Sequence, residues 1–270
     1  MSSKGIEQVT LFFIALIMWA QVGYSIVSSL EVGYLASIVA LQVAVFFVPF
    51  LAYKLITKQK FGDFVPIRAI GIKNALFIFF MLLCIYPVGV FLRSIVFLFY
   101  DFSYIFAYSH EELLGATFLL SALVVSLAPS IFEELVFRGV IQYNLSEFPI
   151  KKAALINGLL FGILHFNVIQ FISGFIIGAV LAYFMHYTRS ILAPMLGHFI
   201  WNFGITTLLF VVYDFYDPLY DFIEGIGYYT DPVRAIMLVS GIASLALFVP
   251  FVILMKRFIA HNVLLNLNKS

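Results

Sequence analysis

Apolar stretches follow one another along the chain with only short polar breaks between them, and each is close to the roughly twenty residues a helix needs to cross a hydrocarbon core. They predict helices over about 7–28, 33–53, 74–99, 115–145, 151–168, 170–188, 190–212 and 233–255. A transmembrane barrel is excluded by the same pattern, because barrel strands are short and alternate in polarity. The expected fold class is all-α, a polytopic transmembrane helical bundle of about eight spans. The longest polar breaks, about 54–73 and 213–232, are too small for a second folded unit, and no internal repeat is visible. A single integral membrane domain over residues 1–270 is therefore expected. The first apolar run, from Val9, reads as a retained span, since only Lys4 is basic ahead of it and no small-x-small cleavage pattern follows cleanly before Ser25 to Ser29.

Composition agrees with this reading. Hydrophobic residues make up 63% of the chain and charged residues 11%, with a mean hydropathy of +1.08; a soluble domain carries about 25% charged residues. Net charge is +1, which excludes a dominant nucleic-acid footprint and leaves membrane lipids as the surroundings. The basic residues report topology instead. Lys54, Lys58, Lys60, Arg68 and Lys73 fall in the second break, and Lys151, Lys152, Arg189, Lys256, Arg257 and Lys269 mark later breaks and the tail. Threaded through eight spans, all lie on one side. Asp101, Glu111, Glu112, Asp214, Asp217, Asp221, Glu224 and Asp231 lie on the other, with Arg234 the only basic residue close by. The positive-inside rule then places both termini in the cytoplasm. The single cysteine, Cys84, cannot form an intramolecular disulfide.

Against this apolar background the stretch Glu133-Glu134-Leu135-Val136-Phe137-Arg138 stands out, because a charge at bilayer depth costs at least a few kcal/mol. Glu134 and Arg138 are four residues apart and can pair, as can His198 and Asn202. Glu133 is rotated by about 100° from Glu134 and is left to face a cavity. Phe161 sits one helical turn from His165 and shapes the wall beside it. At 1.5 Å per residue from their basic ends, Glu133 lies at a depth of about 20 Å, His165 about 21 Å, His198 about 12 Å and Asn202 about 18 Å. Polar groups of three helices thus converge on one layer. Pro129, one turn before Glu133, removes a helical hydrogen bond. Arg93, inside the third span, calls for an acid in the bundle or a snorkelling path. His110, His186 and His261 sit at span ends without partners and read as interfacial. Gly158-x3-Gly162 and Gly174-x3-Gly178 would let the fifth and sixth helices approach closely.

The ordered set EExxxR (Glu133 to Arg138), FxxxH (Phe161 to His165) and HxxxN (His198 to Asn202) resembles the type II CAAX prenyl endopeptidase and bacteriocin-processing family of intramembrane proteases, over about residues 115–205. The resemblance implies a glutamate-dependent endopeptidase of a prokaryotic plasma membrane, acting on a lipid-modified protein or a hydrophobic peptide. It implies that Glu133, with His165, activates water, that His198 and Asn202 stabilise the oxyanion, and that Glu134 and Arg138 support them. Two histidines and carboxylates would also suit zinc. There is no HExxH, however, and Arg138 opposes a divalent cation, so no cofactor is favoured. A serine mechanism through Ser130 lacks a histidine placed to activate it. A non-cleaving scaffold or bacteriocin-immunity protein of the same fold is the alternative. An ion- or proton-coupled transporter has against it the lack of repeated halves.

Overall fold

A computed structural model of the protein describes residues 3–97, 118–225 and 232–267. Among them every regular element is helical: α1 (Ser3–Ser28), α2 (Tyr34–Thr57), the short α3 (Phe61–Phe64), α4 (Gly71–Phe97), α5 (Phe118–Gln142), α6 (Ile150–Ile163), α7 (Val168–Thr188), α8 (Leu192–Gly225) and α9 (Pro232–Leu267). The protein is an all-α polytopic bundle. Six of these helices, α1, α2, α4, α5, α7 and α9, are long and apolar enough to cross a membrane. Asp101, His110, Glu111, Glu112, Asp231 and Lys269 lie outside the described residues, as do the side chains of Asp214, Asp217, Asp221, Glu224 and Arg234.

The span expected at 151–168 is corrected to a 14-residue helix, α6, followed by a turn. At about 21 Å it falls short of a hydrocarbon core of about 30 Å. Two helices outrun their expected ends: α8 continues through the polar break to Gly225, and α9 passes Lys256 and Arg257 to reach Leu267. Charges mark where a helix meets the membrane surface, and the hydrogen-bonded backbone has no reason to stop there.

Two helices contain wide, π-type turns. In α2 the segment Val43–Phe47 is π-helical, and Trp19 of α1 donates its indole N–H to the Ala44 carbonyl at 2.7 Å. In α5 the π segment Leu135–Gln142 follows immediately after Glu134, and all eight of its residues are buried. Such bulges shift the face of the residues that follow and recur at functional sites.

Close packing of α6 on α7 is built from glycines. A Cβ on Gly158 would lie 2.5 Å from the Phe175 carbonyl oxygen, and one on Gly178 would lie 3.0 Å from the Gly158 Cα. Gly162 and Gly174 meet in the same way, at 3.2 Å. The expected small-residue seam is thus present, with the helices antiparallel. α4 pairs with α9 through a reciprocal amide contact, Asn74 Nδ2 to Asn262 Oδ1 at 3.1 Å and Asn262 Nδ2 to Asn74 Oδ1 at 2.8 Å, which satisfies two polar side chains within apolar helices. The turn between α7 and α8 is pinned to the second polar break: Ser190 Oγ accepts from the Arg68 N–H at 3.1 Å and donates to the Arg68 carbonyl at 2.6 Å.

Candidate active site

The π segment of α5 carries Arg138 to the centre of the bundle, where neither it nor Glu134 keeps any exposed side-chain surface. Arg138 Nε donates to Glu134 Oε2 at 2.5 Å, which is the pair expected from their spacing. Its Nη1 donates to the Gly178 carbonyl at 3.0 Å and to Asn157 Oδ1, while Asn157 Nδ2 bonds back to the Phe137 carbonyl at 3.0 Å. The guanidinium also lies over the Phe161 ring, 5.8 Å from its centroid. One cation therefore ties α5 to both α6 and α7.

Glu134's second oxygen, Oε1, holds His198 Nδ1 at 2.9 Å, so α8 is joined to the same network. The carboxylate fixes the imidazole's orientation and directs Nε2 toward Glu133, whose Oε2 is 4.0 Å away. That is too long for a direct hydrogen bond. Glu133 Oε1 accepts from Gln42 Nε2 of α2 at 2.9 Å. The two acids differ in reach as well as in partners: the Glu133 side chain keeps 7% of its surface exposed and Glu134 keeps none. The helical rotation between neighbours has given the two buried acids different partners and left Glu133 alone with a small exposed fraction.

His165 stands in the turn after α6, half-buried. Its ring rests on Gly174, where a Cβ would come within 2.9 Å of its Cδ2, and it meets Phe161 edge-on at 5.3 Å. Phe161 also packs on His198 at 5.5 Å and on Phe137 at 4.7 Å. It is the wedge that holds both histidines in one layer. The residue after His165, Phe166, has φ 50°, a left-handed conformation uncommon for a bulky side chain, and the Asn167 carboxamide oxygen then caps α7 by accepting from Ile169 N at 2.9 Å and Gln170 N at 3.3 Å. Asn202 lies half-buried one turn beyond His198, with no hydrogen bond to another described residue.

The structure thus brings Glu133, Glu134, Arg138, Phe161 and His198 into direct contact and His165 alongside through Phe161. Gln42, Asn157 and Gln142, whose Nε2 donates to the Ala182 carbonyl at 2.8 Å, belong to the same polar interior and were not singled out in the sequence. Their signal was there: each is an amide side chain inside an otherwise apolar run. Ser130 spends its hydroxyl on the Leu127 carbonyl at 2.8 Å. Among the described residues no group of three or more His, Cys, Asp or Glu side chains is arranged to hold a metal ion.

No curated protein and no solved structure matches the chain. Residues 115–204, about a third of its length, match the family model described as Type II CAAX prenyl endopeptidase Rce1-like. Every motif residue of the buried network lies inside that stretch, so the part of this integral membrane protein that is similar to the type II CAAX prenyl endopeptidase Rce1-like model runs from α5 into the first part of α8 and carries the site.

Proposed function

We propose that the protein is an intramembrane endopeptidase in which Glu133 is the general base. The observation that carries this reading is the unequal use of two adjacent carboxylates. Glu134 is saturated by Arg138 and His198, whereas Glu133 hydrogen-bonds only the neutral amide of Gln42, has His198 Nε2 no nearer than 4.0 Å, and keeps a small exposed fraction that Glu134 lacks. A carboxylate so placed can take a proton from water. In that step the water oxygen bonds to the scissile carbonyl carbon while its proton passes to Glu133. Collapse of the tetrahedral intermediate then breaks the C–N bond, and Glu133 returns the proton to the departing amine. His165, opposite across Phe161, assists in orienting the water.

His198 and Asn202 are the groups assigned to the developing oxyanion. With Nδ1–H held by Glu134, His198 offers a donor at Nε2 when it carries both protons, and the cluster then contains two carboxylates and two cations. Fixed donors aimed at developing charge are worth more in a water-poor site than in bulk solvent. The Asn202 amide, uncommitted among the described residues, is the second donor.

The substrate class is a membrane-associated protein or hydrophobic peptide, including prenylated CAAX-type termini, as the family's description suggests. Comparative peptidomics of membranes holding wild type or Glu133→Ala tests this. A peptide that accumulates uncut only with the variant is the expected result; identical peptide profiles would leave the non-cleaving scaffold as the better reading.

A further inference from the structure

Arg93 of α4 is a charged residue to which the proposed chemistry gives no task. Among the described residues it has no carboxylate partner; instead its Nη2 and Nε both donate to one neutral oxygen, Ser173 Oγ of α7, at 2.9 and 3.3 Å. A guanidinium has five N–H donors in a rigid fork, so most of its capacity is unspent. Two turns earlier on nearly the same face of α4 stands Tyr86. Its hydroxyl is buried with no hydrogen-bond partner among the described residues, and its ring is held edge-on by Trp201 of α8 at 5.4 Å. A buried phenolic hydroxyl normally finds a partner, so its lack of one here calls for an explanation.

Both groups border the catalytic layer. Ser173 immediately precedes Gly174, the glycine on which the His165 ring rests, so the hydrogen-bonded Arg93 guanidinium stands one residue from the His165 contact. Donors therefore gather next to the turn that carries His165, matched among the described residues by the single hydroxyl oxygen of Ser173. A carboxylate is a fuller match, because its two oxygens can take the guanidinium fork and the phenol together. A divalent cation is repelled by the same charge.

We propose that Arg93 and Tyr86 form a subsite for the free C-terminal carboxylate of the substrate, which confines cleavage to a peptide bond close to a chain end. This deepens the endopeptidase reading and rests on it for the word substrate, but the subsite can be measured by binding alone.

The probes are a fluorescein-labelled farnesyl-cysteine peptide ending in three small or aliphatic residues, and an unprenylated hydrophobic peptide, each as free acid and as C-terminal amide. Binding is measured in detergent with wild type, Glu133→Gln, Arg93→Gln and Tyr86→Phe, and cleavage with wild type. Wild type and Glu133→Gln are expected to bind at least one acid about tenfold more tightly than its amide, the loss that follows from one charge-assisted hydrogen bond. Arg93→Gln should bind acid and amide alike. Tyr86→Phe should narrow the preference while leaving the melting temperature unchanged, since its hydroxyl bonds no described residue, and it keeps the test open should Arg93→Gln fail to fold. Acid-selective binding without any cleavage by wild type would support the subsite and count against Glu133's role. Equal binding of acid and amide, no binding of either pair, or a preference that survives both Arg93→Gln and Tyr86→Phe overturns the proposal.

Discussion

A carboxylate buried among apolar helices must be balanced by charge or hydrogen bonds, and Glu134 meets that demand with Arg138 on one oxygen and His198 on the other. Removing Arg138 leaves the acid without its cation and frees the Asn157 and Gly178 contacts as well. Arg138→Ala is expected to lower stability by about 3–5 kcal/mol, read as loss of monodisperse protein and a lower melting temperature. Arg138→Lys should rescue little, because a point charge cannot serve three acceptors in one plane. Glu133→Gln behaves in the opposite way. It is isosteric and keeps an acceptor for Gln42, so the fold should be unchanged while cleavage falls at least about a hundredfold, the lower range for a lost general base. His198→Ala should lose turnover too. Metal removal gives a further check: with Glu134 already committed to Arg138 and His198, the network is expected to work without an ion, so chelator-treated protein should keep its activity. Activity lost on chelation and restored stoichiometrically by zinc would make the histidines ligands instead. The Glu134–Arg138 pair was readable in the sequence because i,i+4 spacing fixes a shared face. The Gln42 and Asn157 contacts were not, because they join separate helices, 91 and 19 residues apart in the chain, and helical spacing carries no information about how one helix docks on another.

At the scale of elements, the glycine seam between α6 and α7 decides how closely His165 is held, since Gly162 and Gly174 touch where the histidine turn begins. Gly158→Ala would press a methyl group against the Phe175 carbonyl, a backbone atom that cannot yield. It is expected to cost about 1–3 kcal/mol as overpacking does, and to reduce cleavage through misplacement of His165. Gly33→Ala, with nothing within 4 Å of the added carbon, is the control and should leave the melting temperature unchanged. The GxxxG spacing announced this seam in the sequence. The π segments after Gln42 and Glu134 were illegible for a physical reason. The segment in α2 is apolar on nearly every side and has no polar face whose phase could reveal a widened turn, while the polar residues of α5, Glu134, Arg138 and Gln142, keep the i,i+4 spacing of an ordinary helix and so leave no mark of its wider turns. The length of α6 escaped for a related reason. Apolar residues continue through the turn at His165, and the sequence offers no charge to show that the helix has stopped.

At the scale of the molecule, the lysine and arginine bias predicts one side for the second polar break and for the turn at Arg189, and the Ser190–Arg68 hydrogen bonds join those two segments physically. The positive-inside rule predicts that they, with both termini, lie in the cytoplasm. α2 separates Glu31, in the exposed link after α1, from Lys58, which closes α2 in a left-handed cap, so these two residues should face opposite compartments. The single native cysteine, Cys84, is buried, which keeps the labelling background low. In intact cells a membrane-impermeant maleimide is therefore expected to modify Glu31→Cys, and to modify Lys58→Cys only after permeabilisation. Arg189→Cys should follow Lys58→Cys, because the same hydrogen-bonded end of the bundle carries both. Labelling of Glu31→Cys and Lys58→Cys from one side would mean that α2 does not cross the membrane. The reversed pattern would turn the bundle over and place the basic end outside the cell.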